Sequence, residues 1–485
     1  MIGFIKKNWL LLLGLVISLV IFLPSFGTFY TNDDFFLLKI GKAETPAEFL
    51  NFFSLIKGPD GLGMYRPLTT QVFYFLSWKA FSLNPLGLHI VAFLTFSCVV
   101  FLVYKLIYEM FRDSLVAGFA SFLYATSATH FGHLYYLATF QELGLTLFVL
   151  LSCLAYFKKK IFLSFVFFVL AILSKETAVI TPILLLLISF IRGKVGSDRS
   201  KFRKMFVDIL PFVACIFIYI LIRLMGYGFA KGDSYIWNFS PLTLANTYFW
   251  YVLWSLNLPE TLVDFVGPGI KVNPNLFLYW GKEFRIIFSL FFAEGILVAL
   301  ALIKALKEKN WKNILERNRV GAFAVLWFVI SLLPVAFLPI HKFSYYLTLP
   351  MVGVALRISY LLIREKPFKF AWIIFGIIWV GISAVTSVHT ANISWITQGA
   401  KISKGVYDYI AQNKSQIGPK SIVFVDTPKD LSLPWSPTAN VKTALSDRNF
   451  FWVFHPELHE RIFYGKEAAP AGQIFTITSR HFLGY

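Results

Sequence analysis

Apolar residues in this chain run in long blocks separated by short polar connections. At roughly 20 apolar residues per bilayer crossing, the blocks predict spans over Asn8 to Phe26, Gly87 to Tyr108, Ser114 to Tyr135, Thr139 to Phe157, Ile161 to Leu173 and Thr177 to Ile191. Further spans are predicted over Phe206 to Gly226, Phe284 to Ile303, Val320 to Pro339, Ser344 to Ile363 and Phe370 to His389, about eleven in all. The pattern is that of an all-α polytopic membrane protein over residues 1–389, followed by a polar tail over residues 390–485.

Two connections are long, residues 27–86 and 227–283. In the first, Thr45-Pro46-Ala47-Glu48 has the form of a capping box with proline at the first helical position, so a helix starts there. Phe49, Leu50, Phe52, Phe53 and Ile56 fit one apolar face of that helix, which suits the membrane interface. A second interfacial helix is expected from Pro67, after the Gly58-Pro59-Asp60-Gly61 turn, to a stop near Asn84-Pro85. In the tail, Ile402 to Gln412 reads as a helix and Ser421 to Val425 as a strand ending at Asp426-Thr427-Pro428. A small α/β domain of this length has little core of its own and is expected to lean on the membrane domain.

Composition agrees with the pattern. Hydrophobic residues make up 57% of the 485 residues and charged ones 15%, which excludes a soluble globular protein. The net charge of +19 raises the question of nucleic acid. Its placement removes that reading, because Lys6 and Lys7, Lys158 to Lys160, Arg192 to Lys204, Lys304 to Arg319 and Arg364 to Lys369 all sit in short connections. This is the positive-inside distribution of a cell-membrane protein with a cytoplasmic N-terminus, and it puts both long loops and the tail on the outer side. The first apolar run is long for a signal peptide and has no small-x-small cleavage site, so it reads as a retained span. Cys98, Cys153 and Cys215 each lie in an apolar run and read as packing residues.

The groups able to carry chemistry gather at the predicted outer ends. Asp33 and Asp34 follow the first span directly; an ionisable pair beside hydrocarbon is a functional candidate, and a carboxylate there can serve as a general base. The competing reading is a solvated loop that caps the next helix. Arg66 stands at the start of the expected interfacial helix, where its planar fork suits a phosphate or, more simply, a lipid headgroup. Lys175 and Glu176, then His341, Lys342, Tyr345 and Tyr346, follow at other outer ends, as do His130 and His133 with Gln141 and Glu142. The histidine pair reads as half a metal site or as two packing histidines. Lys175 and Glu176 read as helix-end ion pairs, or as a phosphate cation beside a supporting carboxylate. Glu294 lies mid-span and needs a partner, Arg223 or a buried hydroxyl. There is no Walker loop, no Gly-x-Ser-x-Gly elbow and no His-Glu-x-x-His, which removes ATP-driven, serine-hydrolase and zincin chemistry.

Taken in order, Asn32-Asp33-Asp34-Phe35, Tyr65-Arg66-Pro67-Leu68, Gly87-Leu88-His89, Ser174-Lys175-Glu176-Thr177 and His341-Lys342-Phe343-Ser344-Tyr345-Tyr346-Leu347 resemble the GT-C-type membrane glycosyltransferases. That group contains the protein O-mannosyltransferases and the aminoarabinose transferases. The resemblance implies transfer of a sugar, with inversion, from a polyprenyl-phosphate carrier to an acceptor hydroxyl on a protein, lipid or glycan at the outer face. It implies Asp33 or Asp34 as base, and Arg66, Lys175 and Lys342 on the carrier phosphate, with Glu176, His341 and Tyr345 beside them. Members differ in whether they use a divalent metal, for which Asp33, Asp34, His130 and His133 are the candidate ligands. The chain lacks the tetratricopeptide array or MIR-type domain of these relatives, and its acidic pair is Asp-Asp where theirs is Asp-Glu. Two other classes compete: a flippase or transporter for the lipid carrier, expected to place polar groups near the midplane, and a non-catalytic scaffold whose tail binds a partner.

Overall fold

The structure is a computed structural model that describes residues 2–55, 63–192, 199–227, 235–267, 271–465 and 472–484. Ile56, the Gly58 to Gly61 turn, the middle of the Arg192 to Lys204 stretch and parts of the 227–283 connection lie outside the described residues. In chain order the helices begin with α1 (Ile2–Phe22), α2 (Asp33–Ile40), α3 (Pro46–Asn51), α4 (Phe73–Lys79), α5 (Pro85–Phe111), α6 (Ser114–Ala125) and α7 (Phe131–Tyr135). They continue with α8 (Phe140–Phe157), α9 (Ile161–Ser174), α10 (Thr181–Arg192), α11 (Arg199–Ile222), α12 (Pro241–Ser255), α13 (Asn275–Leu306), α14 (Trp311–Ala336), α15 (Met351–Glu365) and α16 (Ala371–Ile393). The tail adds α17 (Trp395–Gln412), α18 (Lys414–Ile417), α19 (Pro437–Ala444) and α20 (Asn449–Phe454).

Among the described residues, seven helices are long and apolar enough to cross a membrane, and the chain is an all-α membrane protein in its main body. The most hydrophobic stretch of the α8 span is 83% buried in the protein, against 17% for that of α11 and 22% for that of α13. Thus α8 is the centre of the bundle, while α11 and α13 present Phe217, Leu221, Phe292 and Ile296 outward, as lipid-facing helices do. Three of the expected spans are shorter than drawn, with α6, α10 and α15 at 12, 12 and 15 residues, while α9, at 14, matches its short expected block. The Ser114 to Tyr135 block breaks after Ala125, where Asn257 accepts from the Ser127 hydroxyl at 2.7 Å and from the Ala128 N–H at 2.8 Å. The Thr177 and Ser344 blocks likewise open on 3-10 turns, Glu176–Ile180 and Ser344–Leu347. Chain that hydropathy assigns to span is spent on turns at one end of the bundle.

The two ends differ in charge. At one end Glu109 meets Lys105 at 3.1 Å and Arg112 at 2.8 Å, Arg364 meets Asp113 at 2.6 Å, and Arg317 meets Glu365 at 3.5 Å. Trp9 and Trp372 pack there with centroids 6.4 Å apart, so α1 and α16 start at this basic end. The opposite end carries the acidic pair, the turns and both long connections. Helices α1, α6, α9, α11, α14 and α16 run toward it, and α5, α8, α10, α13 and α15 run back.

The first connection folds in part as its sequence directs. Thr45 and Glu48 form the capping box of α3, with the Glu48 N–H donating to the Thr45 hydroxyl at 3.2 Å. The helix expected from Pro67 instead opens with a π turn, Pro67–Val72, before α4. The tail holds a parallel sheet in the order β4-β3-β5, numbered after the two-residue antiparallel pair β1 (Val266–Gly267) and β2 (Lys271–Val272). Strand β3 (Ser421–Val425) pairs Ile422 with Ile462 of β4 (Ile462–Tyr464) and Ser421 with Ile474 of β5 (Ile474–Thr478). Its run Ile422 to Val425 is buried, as a central parallel strand requires. The helix expected over Ile402 to Gln412 starts earlier, at Trp395, behind a Ser394 cap.

The tail grips the acidic segment. The Ala444 carbonyl accepts from the Asn32 N–H at 2.8 Å and from the Ser403 hydroxyl at 3.0 Å. Phe35 meets Phe450 edge-on at 5.2 Å, and Phe29 stacks on Phe454 at 5.8 Å. Gly399 permits this approach, because a Cβ there would lie 2.4 Å from the Thr31 hydroxyl. Phe450 is fully buried, so Phe450→Ala is expected to cost about 3–5 kcal/mol. The expected readout is a lower thermal midpoint in detergent together with faster proteolysis near Asn32; an unchanged midpoint and cleavage rate would show that the tail does not hold this segment.

Candidate functional site

The acidic pair sits on a strained turn. Asn32 has φ 48° and ψ −124° immediately before α2, a conformation that a side-chain-bearing residue keeps only when its surroundings impose it. Here the Ala444 carbonyl does so. The turn sends the two carboxylates to different places. Asp34 is 1% exposed and accepts from the Thr31 N–H at 3.0 Å and from the Tyr74 hydroxyl at 2.5 Å. Burial pushes its pKa up to about 7, with those hydrogen bonds pulling the other way. Asp33 is exposed, and its N–H donates to the Tyr136 hydroxyl at 3.2 Å. Protein crowded around the Asp33 carboxyl raises its pKa above the usual carboxylate value, opposed by a hydrogen bond from Tyr136. Of the two, Asp33 can reach a ligand and Asp34 is a structural anchor.

Beside this turn lies a charge network. The π turn rests on the end of α9, the Thr69 hydroxyl donating to the Ser174 carbonyl at 2.6 Å. Gly144 on α8 leaves room for it, since a Cβ there would lie 2.6 Å from the Thr69 methyl. The turn aims Arg66 at Glu176, Nε to Oε2 at 2.5 Å and Nη2 to Oε1, while Nη1 donates to Gln141. Lys175 turns the other way, donates to Glu142 and lies 4.5 Å from the Tyr346 ring centroid. Thus the neighbours Lys175 and Glu176 pair crosswise with different elements. Arg223 stands 3.7 Å from Glu176, so three cations face two carboxylates. His341 packs against Tyr235 with the rings tilted by 34° and their centroids 4.4 Å apart. Burial, with Lys175 and Arg66 nearby, lowers its pKa to about 4, so the ring is neutral near pH 7. Tyr235 feels the charges of Arg66, Glu176 and Asp33, which puts the turn and the network around one space.

A cavity of about 560 Å³ opens next to it, lined among others by Trp254, Glu260, Asp264, Lys342, Tyr345 and Trp395. Lys342 and Tyr345 therefore do not join Arg66 and Lys175, as their place in the sequence suggested. They face this cavity, while His341 faces the network. Gly132 permits the Tyr345 wall, because a Cβ there would lie 2.9 Å from Tyr345 Cβ. Phe343 stacks on Tyr345 at 5.0 Å, and Glu260 accepts from the Ser344 N–H at 2.6 Å. Tyr136, which accepts from the Asp33 N–H, meets Trp395 edge-on at 5.1 Å. Through Tyr136 and Trp395 the Asp33 segment is joined to the cavity wall.

The candidate metal ligands do not converge. His130 and His133 bond to each other at 3.1 Å; the other His130 nitrogen lies 2.7 Å from the Tyr124 carbonyl, and His133 lies 3.3 Å from the Thr348 hydroxyl. Both are buried packing groups. Both Asp34 oxygens are taken, and among the described residues no group of three or more His, Cys, Asp or Glu side chains is placed to hold a metal ion. Glu294 is buried, and its Oε1 has no hydrogen-bond partner; Arg223, its expected partner, lies at Glu176 instead. Sequence reasoning missed Tyr74, Tyr136, Tyr235, Trp254, Glu260, Asp264 and Trp395. The one available signal was an acidic residue after proline in the long connection, Leu258-Pro259-Glu260.

Comparison with known protein families, with curated proteins and with solved structures finds no match to this chain in any of the three.

Two stability measurements test the site's construction. Asp34→Ala leaves the buried Thr31 and Tyr74 donors unpaired and is expected to cost about 1–3 kcal/mol, whereas Asp33→Ala is expected to stay within about 0.5 kcal/mol of wild type. Equal losses in denaturation would contradict the division between them. Glu142→Leu strands the Lys175 charge in the protein, at a cost of about 3–5 kcal/mol, and adding Lys175→Met is expected to recover most of it. If the double variant is no more stable than the single, the two side chains are not an isolated pair.

Proposed function

We propose that this chain is a membrane glycosyltransferase that moves a sugar from a polyprenyl-phosphate carrier to an acceptor hydroxyl on the outer side of the membrane. The observation that carries the reading is the position of Asp33, a reachable carboxylate between a cation-rich network and a ligand-sized cavity. In this reading the Asp33 carboxylate takes the acceptor's proton, and the acceptor oxygen attacks the anomeric carbon. The bond from that carbon to the phosphate oxygen breaks on the opposite face, and polyprenyl phosphate leaves with the electron pair, so the product is inverted. Arg66 and Lys175 stabilise the leaving phosphate, the larger electrostatic contribution. At rest Glu176 and Glu142 keep these cations paired in a site too dry for bare charge. The basic end of the bundle then faces the cytoplasm, by the positive-inside rule.

The unpartnered Glu294 is the observation that favours the second reading, a transporter for the carrier, since a lone acid among spans often serves an ion pathway.

The test is release of free polyprenyl phosphate from a panel of polyprenyl-phosphate sugars, followed by mass spectrometry. Wild type is expected to release it from one donor class, and Asp33→Asn to lower kcat by about 10²–10⁴ while still binding carrier. Because a base works ionised and Asp33 has a raised pKa, kcat/KM is expected to rise with pH along an acidic limb centred above the usual aspartate value, and Asp33→Asn to abolish that limb. Full activity of Asp33→Asn sinks the assignment of the base. Movement of labelled carrier across vesicles with its sugar intact favours transport.

A further inference from the structure

The cavity beside Asp33 carries more information than its size. The Trp254 indole is 1% exposed, lines the cavity, and its Nε1–H has no hydrogen-bond partner. The Thr261 hydroxyl, also in the lining, is likewise buried and unpartnered. Both polar atoms are closed off behind the wall, so the groups that a ligand in the cavity can meet are Lys342, Asp264 and Glu260 with the aromatic faces. Lys342 and Asp264 face the same space, and no ion pair or hydrogen bond engages either head group among the described residues. Glu260 adds a carboxylate whose direction is fixed by the Ser344 N–H.

These groups select a chemistry. An anion is favoured by Lys342 but opposed by Glu260 and Asp264. A cation is favoured by the carboxylates but opposed by Lys342. An acyl chain leaves all three polar groups dry and unpaired. A neutral polyhydroxylated molecule satisfies them together, donating its hydroxyls to the carboxylates while accepting from Lys342. The aromatic walls at Trp254, Tyr345 and Trp395 suit the apolar C–H faces of a sugar ring, and the volume falls within that of ligand clefts.

We infer that this cavity binds a neutral saccharide, and that this saccharide is the acceptor whose hydroxyl is presented past Tyr136 to Asp33. The word acceptor rests on the transferase reading; the binding does not. The full chain, in a detergent without a sugar headgroup or in nanodiscs, is titrated with neutral methyl glycosides and disaccharides, with a uronic acid, an amino sugar and a serine-containing peptide as controls. Binding is followed by tryptophan fluorescence and saturation-transfer NMR. Saturable binding of a neutral saccharide is expected. Lys342→Met and Asp264→Asn are each expected to weaken it about tenfold. No saccharide binding by wild type, preference for the charged sugars or the peptide, or equal affinity in both cavity variants overturns the inference. Saccharide binding without any carrier-dependent transfer leaves the cavity assignment standing and removes the transferase reading; transfer to the peptide alone does the reverse.

Discussion

A charge taken out of water inside a helical bundle has to find its opposite, and in this protein that requirement fixes the geometry of one end. Arg66 and Glu176, and Lys175 and Glu142, are the two pairs in question. Because Lys175 and Glu176 are adjacent in sequence yet serve different partners, the end of α9 is tied at once to the first connection and to the central helix α8. The other local features follow. The π turn lengthens the start of the Pro67 segment enough to bring Arg66 onto Glu176, the Thr69 hydroxyl seats it on α9, and Gly144 supplies the clearance. Replacing any one of these shifts a desolvated charge off its partner, which is why small residues and hydroxyls occupy the contact.

The acidic turn obeys a similar economy with neutral hydrogen bonds. Asp34 is committed to Thr31 and Tyr74, and the strain at Asn32 is held by a carbonyl from a part of the chain some four hundred residues later. A tail too small for a large core of its own thereby gains an anchoring surface, and the turn gains rigidity. The same clamp leaves Asp33 facing outward. Its position is set by groups other than itself, namely Asp34, Tyr136 and the tail.

Much of this was legible in the sequence, and the failures have physical causes. Hydropathy found the long helices because twenty apolar residues have few other uses, and the capping box at Thr45 and strand β3 coincided with their expected places. Hydropathy also ran through the break after Ala125 and the turns at Glu176 and Ser344, since apolar residues in 3-10 turns score like those in helices. Adjacent Asp33 and Asp34 were indistinguishable because a helix start points successive side chains in different directions, and the distant Tyr74 and the tail's hold on Asn32 decide which is buried. His341 and Lys342 part for the same reason. The cavity was invisible because its walls come from the second connection, the Pro339 to Tyr345 turn and the start of α17, segments that no local pattern joins.

What makes the arrangement chemically coherent is that the two sides of Asp33 differ in kind. On one side the polar groups are already paired, charge against charge, and a ligand has to compete with Glu176 or Glu142 for its cation; only a strongly charged group such as a phosphate can do so. On the other side Asp264 and Lys342 are unpaired among the described residues, and a ligand meets groups that gain partners without losing any. The first kind of site discriminates by charge, the second by hydrogen-bond complementarity. The Tyr136 and Trp395 contact, with Asp33 hydrogen-bonded on its edge, is the place in this fold where the two meet.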